Sequence, residues 1–194
     1  MDGLVELPPG KIAAIATYLE MERSARPAPS AWPVGLALEP LAGDLARYRA
    51  IYGEVGRPWL WFSRVAMRDR KLAAILDDPA VEPLALTRDG RDIGILELDF
   101  RTRPDCELAF LGLVPGLHGQ GLGRRLLAEA IARAFSRPIE RLWLHTCTLD
   151  HPAALRLYLA AGFRPYRRAI EIADDPRLAG LLPRDAGAGY PIVA

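Results

Sequence analysis

The stretch 112–125, GLVPGLHGQGLGRR, constrains the fold more than any other part of this chain. It follows an apolar run at 106–114, CELAFLGLV, that reads as a central strand. It precedes a pattern in which Leu126, Leu127, Ala130, Ile131 and Ala134 recur at helical spacing, ending near Ser136. Gly119, Gly121 and Gly123 therefore remove three Cβ atoms from the start of a helix. Backbone N–H groups there lack intrahelical partners, and the helix dipole favours an anion. Such a turn either cradles a phosphate or only packs a helix on a sheet. Arg124 and Arg125 stand where they can add charge-assisted bonds to a bound phosphate.

Two nucleotide motifs fit poorly. A Walker-type loop ends in Gly-Lys-Ser/Thr, whereas this one ends Gly123-Arg124-Arg125. A dinucleotide fingerprint follows the first strand of its domain. Here the glycines lie past the middle of the chain, after a hairpin marked by Asp89-Gly90 between the apolar runs of 83–100.

The remaining elements follow from periodicity and breakers. Strands are expected at 11–21 and 34–39, separated by the proline-rich stretch 23–33. A helix follows from Leu41, with Leu45, Tyr48, Ile51 and Tyr52 on one face, Pro40 in its first turn and Gly53 at its end. A second helix is expected over 63–76, after the aromatic connection RPWLWF at 57–62. Downstream of the glycine segment come a strand at 141–147, a short helix at 150–163 capped by Asp150 or His151, and a last strand from 163. The predicted order is ββααβββαβαβ.

The segment 151–163, HPAALRLYLAAGF, supplies a second motif. Together with LGLVPGLHGQGLGRRLL at 111–127 it resembles the GCN5-related N-acetyltransferase (GNAT) superfamily. The first motif of that family is Val-x-Pro-x-x-Arg/Gln-Gly-x-Gly-x-Gly/Ala. Val114, Gly119, Gly121 and Gly123 match it, Pro115 falls one place early, and His118 replaces the usual Arg or Gln. The second motif is Asn-x-x-Ala-x-x-Leu-Tyr-x-x-x-Gly-Phe. Ala154, Leu157, Tyr158, Gly162 and Phe163 are in register, with His151 at the Asn position. The resemblance spans about 34–172. It implies an α/β (α+β) fold with a mixed, mostly antiparallel central sheet flanked by about four helices. Residues 1–33 are then a strand and arm of the same domain, 34–173 the acetyl-CoA-binding domain, and 174–194 a tail.

What the resemblance implies for chemistry is specific. Acetyl-CoA would be the cosubstrate. Its pyrophosphate would rest on the backbone of His118, Gly119, Gln120, Gly121, Leu122, Gly123 and Arg124, and its pantetheine arm beside main-chain groups of Leu111 and Leu113. An ammonium acceptor must lose a proton before it can attack. Glu107, a lone carboxylate in an apolar strand, is the candidate base, acting directly or through a water relay; simple alternation would place it on the face of Ala109 and Leu111. Tyr158 is the candidate acid for the leaving thiolate, or else packs on the sheet. The connection between the first helices would form the acceptor pocket, which points to Trp59, Trp61 and Phe62 as substrate contacts or core. His145, Cys147 and His151 lack an evident fourth ligand, so no metal is expected.

Composition then bounds the partners. The 194 residues carry 25 basic and 24 acidic side chains, net charge +1, which gives no global pull toward nucleic acid or an anionic membrane. No run reaches the roughly 18 apolar residues a membrane helix needs. The two cysteines, Cys106 and Cys147, make no disulfide framework. A cytoplasmic acetyltransferase of a small-molecule or peptide amine is the expectation, and the resemblance admits a homodimer. A non-catalytic acyl-CoA-binding module on the same fold is the alternative.

Overall fold

The structure, a computed structural model, describes residues 3–22 and 31–194; most of the proline-rich arm expected at 23–33 thus lies outside the described residues. The element order agrees with the sequence reading: β1 (Lys11–Glu22), β2 (Leu36–Pro40), α1 (Leu45–Gly56), a 3-10 turn (Arg57–Trp59), α2 (Asp69–Leu76), β3 (Val81–Arg88), β4 (Arg91–Asp99), β5 (Asp105–Leu113), α3 (Leu122–Ser136), β6 (Arg141–Cys147), α4 (Ala154–Ala160) and β7 (Arg164–Asp174). The strands form one sheet in the order β2-β3-β4-β5-β6-β1-β7. Every neighbouring pair is antiparallel except β5–β6. The N-terminal strand is thus an interior strand, held between β6 and β7.

Several local expectations shift, each for a physical reason. Pro40 closes β2 opposite Leu84 and does not open a helix. Helix α1 starts later because the Asp44 carboxylate caps it, accepting from the Arg47 amide at 2.9 Å. It also runs past Gly53 to Gly56. Helix α2 is confined to Asp69–Leu76 because the Arg49 guanidinium donates to the carbonyls of Arg64, Val65 and Met67. Those acceptors are then occupied by a side chain, and the segment before Asp69 stays in turns. Helix α4 starts at Ala154 with no side-chain N-cap. Asp150 is committed elsewhere, and the nearest substitute is the His151 ring, whose Nδ1 accepts from the Ala153 amide at 3.1 Å.

Two features of the packing position the site. Helix α1 buries Tyr48, Ile51, Tyr52 and Val55 against one face of the sheet. On that face Glu97 of β4 is wholly buried, receives the Tyr48 hydroxyl at 2.5 Å, and forms an ion pair with Arg64. This network fixes the residue that follows Ser63, and with it the aromatic connection. The C-terminal segment has no helix or strand, yet it is pinned. Asp175 and Arg177 form a buried ion pair, Leu182 and Ala186 pack on Leu60, and the Tyr190 hydroxyl donates to the Thr148 carbonyl at 2.9 Å.

Candidate active site

Strand β5 carries an irregularity that sequence alternation does not reveal. Its register against β4 runs Leu111 to Leu96 and Phe110 to Glu97, then skips to Leu108 opposite Leu98 and Glu107 opposite Asp99. Ala109 is the extra residue of a β-bulge, which bends the strand and reverses the facing of what precedes it. Glu107 therefore shares a face with Phe110, Glu97 and Asp99. The expectation that it faces with Leu111 is overturned by this one residue.

The bulge also ends the pairing with β6. Only Asp105–Glu107 pair with Arg141–Trp143, in parallel, and beyond them the two strands part. The main-chain groups of β5 from Leu108 onward that point toward β6 are left without a strand partner. Such an edge accepts an extended amide-bearing chain by strand addition. A cavity of about 950 Å³ opens there, and its lining includes Leu111, Leu113, Tyr158, Trp59, Trp61 and Phe62.

At one end of this cavity lies the glycine turn. His118, Gly119, Gln120, Gly121, Gly123 and Arg124 all line it. Leu122 does not; its side chain is buried in the core. Gly119 and Gly121 have φ of +81° and +78°, and a Cβ at either would meet no protein atom within 4 Å. The glycines are thus required by backbone geometry, and the space beside them is open to a ligand. Gly121 is the N-cap of α3 and offers no side chain to the first turn, which also lacks an acidic residue. Uncapped N–H groups at the start of a 15-residue helix fit a pyrophosphate.

At the far side, α4 presents Tyr158, nearly buried, with its hydroxyl pKa pushed well above the ordinary phenol range by desolvation and, secondarily, by Asp150. Burial thus keeps it protonated and able to donate. Asp150 accepts from Trp61 Nε1 at 3.0 Å, Thr146 Oγ1 at 2.7 Å and the Cys147 amide at 2.9 Å. Trp61 is thereby a structural wall fixed by its own N–H, packed at a tilt against the rings of Tyr52 and Phe110. Trp59 sits edge-on to His151, and His151 stacks on His118 at 4.3 Å between ring centroids. The His118 pKa is lowered, first by burial and then by His151.

Glu107 is not among the lining residues, but His145 is. Glu107 Oε1 lies 3.9 Å from His145 Nδ1. Burial, then the nearby Asp99 carboxylate, pushes the Glu107 pKa up to about 7. The sequence alone marks His145 only as a candidate metal ligand. Its place beside Glu107 depends on the parallel β5–β6 pairing, which no local pattern announces. Neither cysteine is primed as a nucleophile: burial, then Asp150, raises Cys147 to about 11, and burial likewise raises buried Cys106. Among the described residues no group of three or more side chains is arranged to hold a metal ion.

Residues 48–163 match the family model described as the acetyltransferase (GNAT) family. The chain belongs to the GNAT acetyltransferases. Over 94 residues, this GNAT chain is 33% identical to uncharacterised N-acetyltransferases of Mycobacterium bovis and Mycobacterium tuberculosis. The match covers 48% of this chain and 60% of those relatives. Among solved structures, a GCN5-related N-acetyltransferase from Sphaerobacter thermophilus superposes with a TM-score of 0.58 at 20% identity, over 84% of this chain but only 52% of that one. A GNAT-family acetyltransferase from Novosphingobium aromaticivorans gives 0.59 at 21% identity, over 86% and 67%. At these identities the likeness establishes the fold of this GNAT chain, a mixed sheet of seven strands with four helices.

Proposed function

We propose that this chain is an acetyl-CoA-dependent N-acetyltransferase that acetylates a primary amine of a small molecule or peptide by direct attack within a ternary complex. The observation that carries this reading is the unpaired inner edge of β5, which runs between an uncapped, glycine-rich helix start and the buried Tyr158 hydroxyl, all on one cavity.

When bound, acetyl-CoA supplies an acyl group activated as a thioester. The N–H groups at 118–124 hold its pyrophosphate, and Arg124 adds charge from the rim. Main-chain groups of Leu111 and Leu113 hydrogen-bond the pantetheine amides and orient the carbonyl. The acceptor enters from the side of Trp59, Trp61 and Phe62, where Phe62 and Leu60 are backed by the C-terminal segment. Glu107, with a pKa near the working range of a general base, draws a proton from the ammonium through His145 or a water. The neutral amine attacks the carbonyl carbon, the C–S bond breaks, and the thiolate takes the Tyr158 proton. The second amine proton leaves to solvent and the proton held by Glu107 is returned through solvent to Tyr158, so both side chains are reset and the products are an amide, a thiol and one proton. No residue of this chain is acylated, in keeping with two cysteines held as thiols.

An amine panel with thiol detection tests this reading. Amine-dependent thiol release with an acetylated product of the expected mass supports it. CoA binding without turnover of any amine, unchanged by Glu107→Gln and Tyr158→Phe, supports the non-catalytic acyl-CoA-binding module instead.

A further inference from the structure

Strand β7 ends the sheet, and its outer edge pairs with no strand among the described residues. It is 11 residues long, and most of it is exposed on both faces. Three isoleucines stand together on the face away from the cavity: Ile170 (71% exposed) opposite Ile15 (50%), with Ile172 (54%) beside them. Natural sheets blunt or cover an edge of this length. Here the blunting devices sit at one end, where Pro165 and an extra residue at Tyr166 interrupt the register against β1. The half from Arg167 to Asp174 is regular and open.

The charges of that half are self-complementary. A two-fold axis perpendicular to the sheet would pair β7 with its copy in antiparallel fashion, and opposed residues must then share a face. The allowed registers centre on one residue. Centring on Arg168 or Glu171 sets like charges directly opposite each other, which is destabilising. Centring on Ile170 leaves both Arg167 and Glu171 facing alanines. Centring on Ala169 sets Arg167 against Glu171 twice, on the cavity face, and lays the Arg168 stem against Ile170 twice on the other. A small residue then occupies the axis, and the isoleucine cluster becomes continuous with the Arg168 stem of the second copy.

We infer that this chain forms a two-fold homodimer by pairing the β7 edges of two copies, with Ala169 on the axis and Arg167 of each copy opposite Glu171 of the other. The sheet then continues across fourteen strands, twice the seven of one copy. Glu171 lines the cavity, so the second copy brings a guanidinium to the rim of each site.

Sedimentation velocity on the full chain over about 1–100 μM tests the dimer, and the pairing predicts a species of twice 21.3 kDa. Arg167→Glu alone and Glu171→Arg alone each set like charges opposite one another and are each expected to raise the dimer dissociation constant at least about tenfold; added salt is expected to weaken the unsubstituted dimer but to relieve the repulsion in each variant. An equimolar mixture of the two variants restores both cross-strand pairs and is expected to return a dimer to within about threefold of the unsubstituted chain. An independent arm needs neither variant to fold: Ala169→Cys is expected to form a covalent dimer under mild oxidation, because paired Cα atoms on the axis lie within disulfide reach. A monomer at all concentrations overturns the inference. So does a dimer that responds to neither charge reversal and does not cross-link at 169.

Discussion

Glu107 Oε1 stands 3.9 Å from His145 Nδ1, and of the two side chains only the imidazole lines the cavity. The carboxyl is held where β5 and β6 still pair, one residue short of where they part. Its pKa of about 7 reflects that burial and the adjacent Asp99.

This placement sets a pH dependence. With Glu107 as the proposed base, its deprotonated carboxylate is the working form, and kcat/KM for an amine is expected to rise as pH increases through about 7. Glu107→Gln is expected to lower kcat by about 10²-fold and to remove that limb. A variant whose pH profile keeps the limb near 7 would assign it to another group.

The same carboxyl costs stability. In the unfolded chain it titrates near its ordinary value of 4.5; in the folded chain it holds its proton up to about 7. Between these values the native state binds more protons, so stability falls as pH rises. Glu107→Gln is therefore expected to be more stable than the parent at pH 8, by roughly 1–3 kcal/mol, with the gain vanishing near pH 4. Thermal melts at the two pH values check both the sign and the window.

Tyr158→Phe keeps the ring on the cavity wall and removes the proton donor. A loss in kcat of about 10–10²-fold with little change in KM is expected from the proposed role of the hydroxyl, which is exerted on the leaving thiolate and not on binding. Equal effects on KM and kcat would point to packing against Phe163 as its main role.

The buried pair behind the aromatic wall is a stability element. Glu97→Ala leaves the Arg64 guanidinium buried without its carboxylate and the Tyr48 hydroxyl without its acceptor. A loss of about 3–5 kcal/mol in urea unfolding is expected.

Much of this was legible in the sequence, and the limits have identifiable causes. The glycine turn and the α4 motif are local patterns. They point to one end of the cavity, His118 to Gly121 with Gly123 and Arg124, and to Tyr158 on its far side, because the turn's backbone geometry follows directly from residue type. The face of Glu107 is not legible in the sequence, because an apolar run such as CELAFLGLV has no alternation to betray a bulge at Ala109. Asp150 looked like a helix cap, but a distant indole competes for it, and Trp61 is 89 residues away. The slot of β1 between β6 and β7 depends on pairing with residues more than a hundred positions away, which no window of sequence contains.

The turn itself yields a sharper test than activity. Gly121→Val places a β-branched side chain at φ +78°, in space that holds no protein atom within 4 Å. Folding is expected to survive with a loss of about 1–2 kcal/mol, while CoA affinity falls at least about tenfold. Parallel thermal melts and calorimetric titrations separate the two effects, and unchanged affinity would remove the phosphate from this turn.

The most direct measurement is a crystal structure with CoA bound. Pyrophosphate oxygens are expected on the N–H groups of residues 118–124, pantetheine amides paired with β5 at Leu111 and Leu113, and the sulfur facing Tyr158. CoA bound outside the gap between β5 and β6, or with its sulfur turned away from Tyr158, would contradict this placement.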